Sequence, residues 1–271
     1  MLSVSIVTYH TPIDTLATCI EGLAKAKSVS SITVVDNSRC VDTETWCSRQ
    51  ETDIAYVPNE NVGYGAAHNL AVKMRSDKYH LVINPDVNVE PNVIDEMVEY
   101  MERHDDVGIA QPKVLNPDNT PQYSCRMLPT PFDLIGRRFL PDRLTKRRND
   151  RYLLKHLDLD RPQNVPYMQG SFMMFRTEAF NRSGGFDERF FLYPEDIDIT
   201  RRIHRDYKTL YLPMWSIIHH HAQASYHNLR LTLVHMANMI KYFNKWGWFF
   251  DKERRKFNNA LMHENKSGRK P

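Results

Sequence analysis

The chain has 271 residues, a formal net charge of +3, 41% hydrophobic residues and 25% charged residues. That is the balance of a globular protein able to bury its own core, and so small an excess of positive charge does not argue for nucleic acid. The four cysteines, Cys19, Cys40, Cys47 and Cys125, form no C-x-x-C pair. They point away from a zinc knuckle or disulfide framework and toward reduced thiols in a cytoplasmic protein.

Ser3–Thr8 is a β-branched run expected to form the first strand, and Met1–Tyr9 lacks the basic start and cleavage site of a signal peptide. Ile13, Leu16, Ile20 and Leu23 then share one face of a helix. Further strands are expected at Ser31–Val35, Ile54–Val57, His80–Ile83 and Val107–Ala110, with helices at Tyr64–Arg75 and Asn92–Arg103. Repeated βα units of this length predict an α/β fold with a mostly parallel sheet flanked by helices. In such sheets ligands lie beyond the carboxyl ends of the strands, so Thr8-Tyr9, Asp36-Asn37 and Asn84-Pro85-Asp86 should crowd one edge.

From Pro112 to Pro166 prolines recur and 137–151 is strongly basic, which reads as an irregular insertion or lid with short helices. Order returns with a strand-like run at Gly170–Phe175, a helix at Glu195–Arg205 and strands at Thr209–Leu212 and Ser216–Ile218. The expected division is a catalytic domain over 1–225 and a helical, aromatic and basic tail over 226–271. No apolar run reaches the roughly 18 residues of a membrane span. Any membrane contact is therefore expected to be peripheral, through aromatic residues such as Trp248, Phe249 and Phe250 with Lys252, Arg254, Arg255 and Lys256, or else this segment packs on the main domain or a second subunit.

Five places carry chemistry-bearing residues. Asp86 is a carboxylate delivered to the sheet edge by the apolar run Leu81–Ile83, suited to a divalent cation that neutralises a diphosphate, although Asn-Pro-Asp is also an ordinary turn. Glu195, Asp196 and Asp198 open a helix whose later residues are arginines, a distribution that also matches the helix dipole. Asp196 facing a pocket would serve as a general base. Asn61–Asn69 places small residues at a helix start where free N–H groups favour phosphate. Its Gly63-x-Gly65 lacks the third glycine of a dinucleotide fingerprint, and it does not follow the first strand. In His219-His220-His221 only His219 and His221 can share a side of a strand, and either could complete a metal shell with Asp86. The aromatic and basic tail is the fifth.

Together these segments resemble glycosyltransferase family 2, with the GT-A fold, and more narrowly its rhamnosyltransferase-like branch of O-antigen and related polysaccharide synthesis. The resemblance runs through Val4–Tyr9, Val35–Ser38, Asn61–Asn69, Leu81–Asp86, Gly170–Arg176, Gly184–Phe191 and Glu195–Asp198, in family order. It implies that Thr8, Tyr9 and Asp36 hold the nucleotide base and that Asn61, Gly63 and Asn84 line the donor cleft. Asp86 would bind Mg²⁺ or Mn²⁺ with His219, or with His221 as the alternative, and Asn84 stands where the family motif D-x-D has its first acid. Asp196 would be the base, with Asp187 and Glu195 on the acceptor side.

The implied reaction is an inverting transfer from a nucleotide-diphosphate sugar, dTDP-rhamnose ahead of a UDP-sugar, to a polyprenyl-diphosphate-linked saccharide. The implied setting is the cytoplasm or the cytoplasmic face of the inner membrane, with room for a homodimer and no nucleic-acid partner. A nucleotidyltransferase would carry a glycine-rich basic loop after the first strand, where this chain has Thr8-Tyr9-His10-Thr11-Pro12. A glycan-binding module that has lost its chemistry is the non-catalytic alternative.

Overall fold

The computed structural model describes residues 1–136, 141–155, 157, 159–220 and 229–267. One sheet dominates. It is built from β1 (Leu2–Thr8), β2 (Val29–Asp36), β3 (Ile54–Pro58), β4 (Tyr79–Ile83), β5 (Val87–Asn88), β6 (Val107–Leu115), β8 (Gln163–Asn164), β10 (Phe172–Arg176) and β11 (Lys208–His219). A short pair, β7 (Cys125–Arg126) and β9 (Tyr167–Met168), lies beside it. The spatial order is β3-β2-β1-β4-β10-β6-β11-β5, with β8 on β11.

The strands β3, β2, β1 and β4 are mutually parallel, as expected of βα units. The sheet as a whole is mixed rather than mostly parallel. β10 runs antiparallel to both β4 and β6, and β11 is parallel to β6 but antiparallel to β5 and β8. Short βα spacing predicts parallel neighbours only where a helix returns the chain, and β10 is reached through the non-helical stretch that follows β9. The two strands expected at 209–212 and 216–218 are one strand, β11, whose register against β6 shifts between Leu212 and Ser216. β6 likewise continues past Pro112 to Leu115.

Strand alternation divides the core in two. Leu2, Val4 and Ile6 of β1, Leu81 and Ile83 of β4, and Phe172 and Met174 of β10 face α1 (Ile13–Ala24) and α4 (Pro91–Arg103). Val82, Met173 and Phe175 face the other way. There they meet α6 (Thr177–Arg182), α7 (Glu195–Ile203), α8 (Leu229–Trp246) and α9 (Lys252–Ser267). The tail is thus part of the second core: Tyr242, Phe243, Phe257 and Leu261 are buried in it. Between β1 and β4 on the one hand and α3 (Tyr64–Lys73) on the other lies a polar seam. The Ser5 hydroxyl is 2.7 Å from His68 Nδ1 and 2.8 Å from His80 Nε2, and the Ser3 hydroxyl is 2.8 Å from His80 Nδ1.

Burial holds the His80 imidazole down at about 3, and burial together with His80 holds His68 well below the usual range. Both rings are therefore neutral in the fold but charge in the unfolded chain near pH 6.5. The unfolded state binds the extra protons, so this stabilisation is complete above pH 6.5 and is lost as pH falls toward 3. We expect urea midpoints to drop steeply between pH 6.5 and 4. The full effect of His80 alone is on the order of 5 kcal/mol. A midpoint that holds constant over that range would show these rings to be solvated.

Candidate active site

The carboxyl ends of β1, β2 and β4 form one rim, as their parallel register requires. At the β2 end, the buried Asp36 carboxylate is a loop anchor. Its Oδ1 accepts from the Thr8 hydroxyl, the Ser38 hydroxyl and the Ser38 N–H, and its Oδ2 from the Cys40 N–H and the Tyr56 hydroxyl, at 2.6–3.1 Å. Burial alone would raise its pKa, but these donors outweigh that and hold it below the ordinary carboxylate value. Tyr9, by contrast, is 57% exposed at the rim with its ring edge-on to His10. Asn61 is exposed nearby, close to the Asn37 amide.

Gly63 is required by geometry twice over. Its φ is +102°, and a Cβ there would lie 2.2 Å from the Phe191 carbonyl oxygen, which also accepts the Tyr64 N–H opening α3. The segment 186–191 is therefore pressed against the start of α3.

At the β4 end, Asn84, Pro85 and Asp86 are half-buried. His219, at the end of β11, brings its Nε2 to 3.3 Å from Asp86 Oδ1. The tautomer of that ring follows from Gln122. The Gln122 amide nitrogen donates to the His219 carbonyl at 2.8 Å, which turns its Oε1 toward His219 Nδ1 at 2.9 Å. An amide oxygen only accepts, so Nδ1 carries a proton, and the neutral ring would present its Nε2 lone pair toward the carboxylate. A carboxylate oxygen and a lone-pair nitrogen held face to face, with the ring oriented from behind, fit two ligands of a divalent cation. Among the described residues no three His, Cys, Asp or Glu side chains gather to hold a metal. A cation here would complete its shell with diphosphate oxygens and water, the habit of Mg²⁺. His221 lies outside the described residues.

Asp196 is buried in the first turn of α7. Its Oδ2 accepts the Gly170 N–H at 3.1 Å and its Oδ1 the Ile197 N–H at 2.8 Å. Tyr64 connects this acid to the β4 end. Its hydroxyl shares a proton between the Gly170 carbonyl at 2.7 Å and Asn84 Oδ1 at 2.9 Å. Gly170 fits between the two: a Cβ there would meet Tyr64 at 3.5 Å and Asp196 at 3.4 Å. Burial pushes the Tyr64 phenol well above its usual value, and the fields of Glu195, Asp196 and Asp86 push it further. One phenol thus senses all three acids.

The neighbouring Glu195 is buried, and its Oε2 has no hydrogen-bond partner among the described residues. Burial and then the adjacent Asp196 raise its pKa well above the carboxylate range. Burial also raises Asp196, but the Ile197 and Gly170 N–H groups and Arg126 favour its charge. Of this pair Glu195 is raised the further, which leaves Asp196 the first to ionise. Asp187 is turned elsewhere, its carboxylate taken by Arg189 at 2.9 Å and by Lys245 of α8 at 2.7 Å.

Two contributors lie in the proline-interrupted stretch and carry no sequence signal: Gln122, which orients His219, and Arg126, whose field reaches Asp196. Arg126 Nε donates to the Tyr123 carbonyl, and its guanidinium lies over the Tyr167 ring.

Residues 3–184 match the family model described as "Glycosyl transferase family 2". The chain belongs to that family, whose members transfer a sugar from a nucleotide-diphosphate donor to an acceptor. It is 27% identical over 214 residues to the N-acetylglucosaminyl-diphospho-decaprenol L-rhamnosyltransferase of Mycobacterium tuberculosis, covering 72% of this chain and 68% of that protein. It is 26% identical over 237 residues to the rhamnosyltransferase WbbL of Escherichia coli, covering 82% and 85%. Its fold is similar to that of GalNAc-T7, crystallised with UDP, GalNAc and Mn²⁺, with a TM-score of 0.60 at 17% identity. That alignment covers 80% of this chain and 43% of GalNAc-T7.

Proposed function

We propose that this member of glycosyl transferase family 2 is an inverting, divalent-cation-assisted glycosyltransferase that adds a deoxyhexose or hexose to a lipid-linked saccharide. The observation that carries the reading is the Tyr64 hydroxyl, which binds both Asn84 and Gly170 and so joins the end of β4 to the acid at the head of α7. Two relatives named as rhamnosyltransferases favour dTDP-rhamnose over a UDP-sugar as donor. One of them is named for a decaprenyl-diphosphate saccharide, which favours a polyprenyl-diphosphate-linked acceptor.

Tyr9 is placed to stack on the donor base, while Asp36 and Thr8 hold the rim that receives it. Gly63 and Asn61 leave room for the donor at the start of α3. Asp86 and His219 would hold Mg²⁺ or Mn²⁺, which supplies positive charge for the departing diphosphate. Asp196 takes the proton of the acceptor hydroxyl as the new bond forms to the anomeric carbon and the bond to the diphosphate oxygen breaks on its opposite face. Glu195, kept neutral, can donate a hydrogen bond to a sugar hydroxyl beside it. Arg126 supplies a fixed positive charge near the acceptor oxygen.

The test is calorimetric. Titration of dTDP-rhamnose and UDP-sugars with and without Mn²⁺ should reveal one preferred donor whose affinity rises with the metal. Asp86→Ala should remove that rise. Gln122→Ala should weaken Mn²⁺ affinity about 10- to 100-fold, because a ring without its outer partner loses tautomer and orientation. Unchanged isotherms in both variants would place the cation elsewhere.

A further inference from the structure

We propose that the loop between α8 and α9 is a membrane anchor that inserts Phe249 and Phe250 into an anionic phospholipid surface while neighbouring arginines take headgroup phosphates. The two rings are 70% and 88% exposed, although the helices on either side are sealed into the core through Tyr242, Phe243 and Phe257. The loop is also firmly held: the buried Arg254 guanidinium donates to the Trp248, Phe249 and Pro129 carbonyls. Exposed rings on a fixed loop are not the result of a collapsed or frayed end.

Phe249 also borders a cavity of about 360 Å³ whose cations are Arg148, Arg151, Arg254 and Arg255. The lone acid there among the described residues, Asp133, is already engaged by Arg148 at 2.6 Å and by the Thr130 hydroxyl. Arg151 and Arg255 are exposed and have no ion-pair partner among the described residues. The excess of positive charge extends along both flanking helices. In α5 (Asp142–Tyr152) Arg143, Lys146 and Arg147 are exposed cations without an acidic partner among the described side chains, and in α9 Lys252 and Lys256 are the same. α8 adds an outward apolar row, Leu233, Met236 and Ile240, at helical spacing.

Aromatic rings beside unneutralised arginines and lysines match the boundary between headgroups and acyl chains of an anionic bilayer. A soluble anion would account for the arginines but not for the exposed rings. The cavity shares no lining residue with the proposed catalytic cleft. The anchor therefore does not depend on the transferase reading, and its test needs no turnover.

The test is co-sedimentation of the full chain with vesicles of equimolar phosphatidylglycerol and phosphatidylcholine, against phosphatidylcholine alone. Binding should require phosphatidylglycerol and fall as salt rises. Phe249→Ser with Phe250→Ser should reduce partitioning on the order of tenfold per ring. Arg151→Ala with Arg255→Ala should reduce it about fivefold per charge. Brominated acyl chains should quench the fluorescence of Trp248, and Trp248→Phe should abolish that component.

Three results would overturn the proposal. One is equal binding to neutral vesicles, or none to anionic ones by a chain with a normal melting transition. Another is displacement from vesicles by inorganic phosphate well beyond that by chloride at equal ionic strength, which would mark a soluble-anion pocket. The third is a concentration-dependent dimer, seen by sedimentation velocity, that the double phenylalanine variant dissolves, which would make the patch a contact between copies.

Discussion

Asp196→Asn should lower the rate of sugar transfer by about 10²- to 10⁴-fold while leaving donor affinity nearly unchanged. The amide keeps the shape of the side chain, although its single oxygen can accept from only one of the Gly170 and Ile197 N–H groups, and it cannot take up a proton. The loss therefore falls on kcat, and calorimetric titration of donor with Mn²⁺ should resemble the parent. The pH profile carries a second signature. Because burial raises Asp196, the acid limb of kcat/KM should inflect above the ordinary aspartate value, with activity lost as pH falls through that inflection. Glu195 is raised further than Asp196 and stays neutral while Asp196 titrates, so Glu195→Gln should leave the limb nearly in place. Near-parental turnover in Asp196→Asn would exclude this residue as the base.

Asp251→Ala should destabilise the protein by about 3–5 kcal/mol. Arg201, five residues past Asp196 on α7, is buried and held bidentately by Asp251 at 2.6 and 2.7 Å, with Glu253 a third partner at 2.7 Å. Its guanidinium also lies 4.0 Å from the centre of the Trp246 ring. Removing Asp251 strands a charge inside the protein. Replacing both members, as in Arg201→Met with Asp251→Leu, should restore much of the loss, because no charge is then left buried. Urea unfolding of the two variants provides the comparison. A single variant within 1 kcal/mol of the parent would mean that Glu253 alone satisfies Arg201.

Local order was readable where side-chain chemistry repeats. The β-branched run at β1 and the spacing of Leu16, Ile20 and Leu23 in α1 declare themselves because burial needs one apolar face. α2 (Val41–Ser48) went unseen for the converse reason: only Thr43 and Cys47 are buried, so no apolar stripe exists to be read. The polarity of β10 could not be read either, since strand direction depends on which neighbours it meets and on the path between them. At the site, Asp86, His219 and Asp196 were legible as acids and imidazole at element ends. Gln122 and Arg126 were not, because an amide and an arginine among prolines look like surface until β11 and α7 fold over them. The same holds for Arg201 and Asp251, which read as helix-end charges until the tail packs back.

The reversed strand β10 determines how near Asp196 can come to the end of β4. Its first residue, Phe172, pairs with Ile83, the last residue of β4. The peptide groups just upstream of β10 therefore arrive where those just downstream of β4 leave, and the Asn84 N–H reaches the Ser171 carbonyl at 2.9 Å. Were β10 to run alongside β4 instead, Gly170 would sit at the opposite margin of the sheet, roughly 16 Å away at about 3.3 Å per residue. Tyr64 could not then touch it. The polarity of a single five-residue strand thus decides whether Asp196 and the end of β4 can be joined through one tyrosine.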